Sequence, residues 1–147
     1  MQTAEQASSY PPSIHDLVTP SFLLGRSKLG RNITRLADHA RKLGVILRPH
    51  MKTANSIDVA RRVFPDGPGP ITVSTVAEAE YFGSHGYRDM TYAVGLSPAS
   101  ALRAMKLCAR TGAELKPLLD TVEQADALAA VREAAGIEAR WERIRGW

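Results

Sequence analysis

The chain has 147 residues, of which 44% are hydrophobic and 23% charged, a balance typical of one globular domain with a real core. The net charge of +4, with no clustered basic face, argues against nucleic acid as a partner, and no apolar run reaches the roughly 18 residues that span a membrane. The single cysteine, Cys108, excludes an internal disulfide and a CxxC metal pair, and we expect it in a helix core.

The N-terminal part of the chain predicts a flexible arm. Residues 1–18 begin with a polar stretch that contains Pro11-Pro12 and lacks the apolar centre of a signal peptide. We therefore expect the protein in the cytoplasm. A short extended segment, Thr19 to Leu24, comes next, because Pro20 is barred from helix interiors.

A helix, a strand and a second helix are predicted to follow. From Ser27 to Leu43 the apolar residues recur at spacings of three and four, with Ser27 as N-cap and Gly44 at the C′ position. The strand Val45 to His50 comes directly after it. The second helix, Ser56 to Val63, has Ser56 as its cap.

Three further pairs of a strand and a helix are predicted after a turn rich in proline and glycine. The strands are Ile71–Ser74, Asp89–Val94 and Glu114–Leu119, and the helices are Thr75–Gly83, Ser97–Arg110 and Thr121–Ala135. Thr75 and Glu78 form a capping-box pattern, and Pro98 occupies the favoured first helical position. Pro117 cannot donate to a strand ladder, so it predicts a bulge or an irregular strand start.

This alternation predicts an α/β fold with a parallel sheet, in about four βα units. The units could belong to an open doubly wound sheet or to part of a (β/α)8 TIM barrel. No Gly-x-Gly-x-x-Gly turn follows the first strand, which removes the best support for a dinucleotide-binding sheet. A complete barrel needs roughly 250 residues, so we expect a partial one.

Lys52 is the residue whose position points to chemistry. Alternation along a strand would place Arg48, His50 and Lys52 on one face, with Lys52 at the carboxyl end, where barrel enzymes carry their reactive groups. Neighbouring cations and desolvation would favour the neutral amine, which can form a Schiff base with pyridoxal 5′-phosphate (PLP). A solvated lysine on a loop remains the alternative.

Other strand ends supply weaker candidates. Ser74 and Thr75 end the second strand at a helix N-terminus, where they could receive an anion or serve as caps. We expect Tyr92 in the core and Asp120 as an N-cap. The chain has no HExxH pattern or paired His/Cys spacing, so no metal site is predicted.

Four segments resemble the D-threonine aldolase and D-serine dehydratase group of PLP enzymes, which share an alanine racemase-like N-terminal barrel. The segments are Thr19–Leu24, Arg48–Thr53, Ile71–Phe82 and His85–Val94. The resemblance implies that residues 19–137 form part of that barrel and that Lys52 holds PLP as an internal aldimine. It also implies a D-amino acid as substrate and, for full-length members, a homodimer and a divalent metal. We predict that Lys52, His50 and Ser74 contact the cofactor.

The chain also departs from this family. Members have an acidic residue where Gly25-Arg26-Ser27 stands, and a second lysine where Asn55 stands. They continue through the rest of the barrel into a β domain that brings the phosphate-binding amides, the partner of the ring nitrogen and the metal ligands, none of which has a match here. The final residues, 138–147, form an atypical basic tail. We therefore expect a truncated or frame-shifted copy of a lyase that lacks most of the active site. A non-catalytic fragment that folds by pairing with another chain, an amino-acid racemase and a PLP-binding carrier are the alternatives.

Overall fold

The computed structural model describes residues 13–21 and 23–137. The predicted C-terminal tail and the first twelve residues of the predicted arm lie outside the described residues. Within the arm, Ile14–Asp16 forms a short 3-10 turn. The helices and strands of the described ranges are α1 (Arg26–Leu43), α2 (Ile57–Val63), β1 (Ile71–Val73), α3 (Val76–Ser84), β2 (Asp89–Gly95), α4 (Pro98–Thr111), β3 (Glu114–Leu118) and α5 (Val122–Ala135).

The three strands form a parallel sheet in the order β1-β2-β3, as the alternation of strands and helices predicts. Ile71 is paired with Met90, and Asp89 is paired with Glu114. The register between β2 and β3 shifts between Tyr92 and Gly95, directly beside Pro117. Because Pro117 has no N–H to donate, an irregular ladder at this point is the expected result, and this prediction is confirmed.

The prediction of a strand from Val45 to His50 is wrong. The segment makes an isolated parallel bridge from His50 to Thr72, and the Thr72 N–H donates to the Pro49 carbonyl at 2.9 Å. Pro49 has no N–H for a ladder, and Val45 and Ile46 are 57% and 83% exposed, so no packed neighbour holds them in a sheet. The described part of the chain therefore has three βα units rather than four.

The sheet buries one face and leaves the other partly open. Ile71, Val73, Met90, Tyr92 and Leu115 face the helices and are buried. The intervening residues, Thr72, Asp89, Thr91, Glu114 and Lys116, are only half-buried and form a polar face. This period of two places the core between the sheet and helices α3 and α4, where Phe82, Met105 and Leu107 complete it. The core positions predicted for Tyr92 and Cys108 are confirmed.

Helix ends follow the sequence signals with three exceptions. The first is Ser56, which occupies the predicted N-cap position of α2 but makes no side-chain cap hydrogen bond. Thr75 and Ser97 accept hydrogen bonds as N-caps, as predicted, and α1 ends at Gly44 in the left-handed region, with φ of +66°. However, α1 begins after Gly25 rather than at Ser27, and Thr121 rather than Asp120 caps α5.

Helix α1 packs less closely than its apolar pattern predicts. Ala40 is its buried residue, while Leu36 and Leu43 are about half and almost two-thirds exposed. None of the helices in the described ranges is both long enough and apolar enough to cross a membrane.

Candidate functional site

Lys52 lies in a tight 3-10 turn, Met51–Thr53, rather than at the end of a strand. Met51 is 2% exposed and anchors the turn in the core, whereas the Lys52 side chain is exposed. The turn closes when the Asn55 N–H donates to the Met51 carbonyl at 2.7 Å, with Asn55 at a positive φ of 41°. Because the chain turns after His50, the predicted alternation of Arg48, His50 and Lys52 along one strand face is wrong at Lys52.

His50 connects this turn to the carboxyl end of β1. Its Nδ1 accepts the Lys52 backbone N–H at 3.3 Å, and its Nε2 lies 3.0 Å from Ser74 Oγ. An Nδ1 that accepts this N–H carries no hydrogen, which leaves Nε2 as the nitrogen that can donate to Ser74 Oγ. His50 then donates to Ser74 Oγ, which leaves the Ser74 hydroxyl hydrogen free to donate to a further acceptor.

Arg48 spans the amino ends of two strands on the polar face of the sheet. Its two terminal nitrogens donate to the two carboxylate oxygens of Asp89 at 2.9 and 2.7 Å. Lys116 of β3 donates to the same carboxylate at 2.8 Å. These cations hold the pKa of Asp89 below its ordinary value, the hydrogen bond from Arg48 being the largest cause and partial burial opposing it. The half-buried carboxylate is therefore held ionised.

The segment from Arg48 to His50 runs parallel to β1, from the amino end of the sheet toward its carboxyl end. Arg48 is fixed at the first residue of β2, and His50 is fixed just beyond the last residue of β1. The segment thus places Lys52 at the carboxyl edge of the sheet, the edge at which βα-barrel proteins assemble their sites.

The remaining candidates have structural roles. Thr75 Oγ1 caps α3 by accepting the Glu78 N–H at 3.1 Å, and the Glu78 carboxylate accepts the Ser74 N–H at 2.7 Å. Glu80, on the same helix, accepts from Arg103 of α4 instead. Residues 13–21 and 23–137 contain no group of three or more His, Cys, Asp or Glu side chains arranged to hold a metal.

The surface around the turn is shallow. A depression of about 400 Å³ lies beside it and is lined by Asn55, Thr75, Ala77, Glu78 and Tyr81. Lys52, His50 and Ser74 do not line this depression; Lys52 is exposed, and His50 and Ser74 are half-buried.

Asp89 and Lys116 are the site-supporting residues that sequence reasoning missed. Asp89 precedes the apolar Met90, and Lys116 follows the apolar Leu115, in strands whose buried positions alternate with half-buried ones. That pattern indicates a polar sheet face, and opposite charges on adjacent parallel strands indicate that they meet there. These charge patterns are present in the sequence. They do not identify Arg48 as a partner of Asp89, because Arg48 lies in a segment that forms no strand ladder.

Sequence comparison relates the chain to enzymes of D-amino acids. It is 39% identical over 120 residues to D-threo-3-hydroxyaspartate dehydratase of Delftia sp. (strain HT23), across 82% of this chain and 31% of the relative. It is 31% identical to D-serine dehydratase of Dictyostelium discoideum, across 64% of this chain and 25% of the relative. The chain is a homologue of these D-amino acid dehydratases. It spans about a third of the length of the curated relatives it matches, and no family model matches it.

Solved structures show that this dehydratase homologue has an alanine racemase-like fold. The Delftia dehydratase structure superposes with a TM-score of 0.76 at 38% identity, over 84% of this chain and 32% of that one. An alanine racemase-like protein from Idiomarina loihiensis gives a TM-score of 0.72 at 35% identity, over 82% and 34% of the two chains. D-threonine aldolase from Filomicrobium marinum gives 0.72 at 26% identity, over 86% and 34%. The predicted partial α/β barrel of this type is thus confirmed, as is the resemblance to D-serine dehydratase and D-threonine aldolase.

Proposed function

We propose that Lys52 is the attachment point for PLP in a D-amino acid lyase of the dehydratase or aldolase type. The observation that carries the proposal is the position of Lys52 at the carboxyl edge of the sheet, next to the His50–Ser74 hydrogen bond. The homology to two D-amino acid dehydratases supports the substrate class. We expect a cytoplasmic enzyme.

The donor groups at this edge suit a phosphorylated aldehyde. Lys52 offers an exposed primary amine, a nucleophile that can attack the carbonyl carbon of an aldehyde. Ser74, whose oxygen accepts from His50, keeps one hydroxyl hydrogen for an anionic or phenolic oxygen. His50, held at both nitrogens, orients the backbone of Lys52. When bound, PLP supplies an electron sink for negative charge that develops at the substrate α-carbon.

Proton transfer and positioning are assigned to different residues of the chain. The Lys52 amine, when it is not bonded to a carbonyl carbon, would be placed to carry a proton at Nζ. Ser74 and His50 hold their positions at the edge of the sheet, and buried Met51 keeps the turn from moving away from β1. The divalent metal expected for full-length relatives would need ligands beyond those that the described residues bring together.

Borohydride trapping tests the proposal directly. The full chain is incubated with PLP, reduced and digested, and the modified lysine is located by peptide mass spectrometry. We expect modification at Lys52, lost in Lys52→Ala and retained in Lys106→Ala, which removes an exposed lysine of α4. Equal modification of all exposed lysines would contradict the assignment. Assays with D-serine, D-threonine and D-threo-3-hydroxyaspartate then separate dehydratase, aldolase and racemase products.

A second candidate is a non-catalytic PLP-binding chain that pairs with another chain. The observation that favours it is the half-open polar face of the sheet, which carries Asp89, Thr91 and Lys116. Light scattering of the purified chain across a concentration series tests it. Self-association together with PLP attachment but no product from the three amino acids would favour this candidate over the lyase.

A further inference from the structure

The segment that carries Lys52 is held by side chains more than by its backbone. A regular parallel strand would exchange hydrogen bonds with β1 along its length. From residues 45–50, the Pro49 carbonyl instead accepts one backbone hydrogen bond from the Thr72 N–H of β1. Two side chains supply the other attachments: His50 to Ser74 at one end, and Arg48 to Asp89 at the other.

The attachment at Arg48 is the more constrained of the two. The planar guanidinium meets the Asp89 carboxylate through two parallel bonds, a geometry that fixes direction as well as distance. The same guanidinium lies 3.4 Å from the carbonyl oxygens of Ile71 and Asp89. Arg48 therefore binds the first residues of β1 and β2 at once.

Charge on the sheet face reinforces this arrangement. Asp89 also accepts from Lys116, whose side chain is 19% exposed, and Glu114 lies 3.7 Å from the same ammonium. The cluster thus joins all three strands to the segment, and the carboxylate at its centre stays charged over the neutral pH range. Lys52 lies only four positions after Arg48, so a displacement of this anchor shifts the start of the turn.

We propose that the Arg48–Asp89 pair positions Lys52 at the edge of the sheet, which makes both of them positioning residues for the chemistry of that lysine. The inference rests on the proposed function of Lys52. Without the pair, the segment keeps the Pro49 bond and the His50 bond, and it gains freedom to rotate about them.

The chain offers a matched control for the loss of one Arg–carboxylate pair. Glu80 and Arg103 form a two-bond pair of the same kind between α3 and α4, on the opposite, helix-covered side of the sheet. Glu80→Gln therefore removes the same type of interaction without touching the Lys52 segment. Asp89→Asn and Arg48→Gln remove the anchor from either side, and the double variant tests whether they act as one unit.

Two measurements on the full chain decide the matter. Hydrogen exchange reports the opening of the amides of Lys52 and Thr72, which donate to His50 and Pro49, with the amides of α4 as an internal reference. Absorbance titration with PLP reports the equilibrium constant for attachment at Lys52. For Asp89→Asn and Arg48→Gln we expect about tenfold faster exchange of the two amides and about tenfold weaker attachment, because a charge-assisted bond contributes on that order.

The outcomes separate this inference from the proposed function. Losses that do not add in the double variant, with Glu80→Gln unchanged, support the inference. Attachment at Lys52 that is the same in Asp89→Asn as in the parent chain overturns it, as does an equal loss in Glu80→Gln. If the parent chain attaches no PLP at Lys52, the proposed function fails, and the exchange rates alone decide whether the pair holds the segment. If either variant unfolds, Arg48→Lys, which keeps a cation beside Asp89, takes its place in both measurements.

Discussion

His50 Nε2 lies 3.0 Å from Ser74 Oγ, although Ser74 comes 24 residues later in the chain. The bond joins the turn that carries Lys52 to the residue that follows β1. Since Nδ1 of the same ring accepts the Lys52 N–H, one imidazole holds two parts of the backbone at a fixed distance. Neither bond is visible in the sequence, which shows only that His50 and Ser74 each follow a β-like run.

Replacing Ser74 with alanine should weaken PLP attachment more than it weakens the fold. The change removes the acceptor of the His50 N–H and the hydroxyl that we assign to the ligand. We expect a loss of about 1 kcal/mol in the free energy of unfolding, typical of one hydrogen bond, and a larger loss in the free energy of PLP attachment. Urea unfolding and PLP titration measure the two effects. Ser84→Ala, which removes an exposed hydroxyl bonded to the Tyr81 carbonyl, is the control and should leave attachment unchanged.

Phe82 is a principal contributor to stability. It is fully buried, and its ring meets those of Tyr81 and Tyr87 edge to face, with centroids 5.0 and 5.6 Å apart. We expect Phe82→Ala to lower the free energy of unfolding by about 3–5 kcal/mol, because it leaves a cavity in a packed core. Leu102→Ala, on the partly exposed side of α4, should cost far less. Similar midpoints of chemical unfolding for the two variants would contradict this placement of the core.

The Asp89 carboxylate should make the fold sensitive to acid. Its pKa in the folded chain is lowered, chiefly by the hydrogen bond from Arg48, relative to an ordinary value of about 3.9 in the unfolded chain. The stabilisation it provides is therefore fully present above that ordinary pKa, and it is lost as pH falls through the lowered pKa of the folded chain. Denaturant midpoints measured from pH 6 down to pH 2 should fall less steeply in Asp89→Asn than in the parent chain.

A second carboxylate, Glu80, also contributes to the acid sensitivity of the fold. Its pKa is also lowered, first by the hydrogen bond from Arg103, so it contributes to the same acid loss. The slopes of Asp89→Asn, Glu80→Gln and the double variant separate the two carboxylates. An Asp89→Asn slope identical to that of the parent chain would show that Asp89 is not held by Arg48 and Lys116 in solution.

Cys108 should report on unfolding. Burial raises the pKa of its thiol, and its side chain lies within the core between α4 and the sheet. We expect the folded chain to react slowly with Ellman's reagent at pH 8, because the thiolate is the reacting form. In urea one thiol should react quickly, since the chain has one cysteine. Equal rates in the two conditions would place Cys108 outside the core.

Much of the fold could be predicted because its signals are local. The caps at Thr75 and Ser97, the left-handed Gly44 and the irregular ladder at Pro117 each follow from the conformational limits of one or two residues. The period of two in β2 likewise separates buried Met90 and Tyr92 from half-buried Asp89 and Thr91.

The errors fall where distant residues decide the outcome. Val45 to His50 has the composition of a strand, but a ladder needs neighbours with free donors and acceptors, and composition does not show whether they are there. The turn at Lys52 depends on Met51 reaching the core and on His50 capping it, contacts that the predicted alternation did not include. The position of Lys52 and the family resemblance therefore identified it as a candidate from the sequence. The hydrogen bonds that hold its turn are seen only in the structure.

The strand order in the sheet, β1-β2-β3, is also the order in which the strands are synthesised. The residues that anchor the Lys52 segment are therefore made after the segment itself. His50 can form its hydrogen bond only after Ser74 has been synthesised. Arg48 can form its ion pair only after Asp89, which lies 41 residues later in the chain. The Lys52 segment therefore leaves the ribosome before any of these partners, and both of its side-chain anchors can be complete only after the first residue of β2 has emerged.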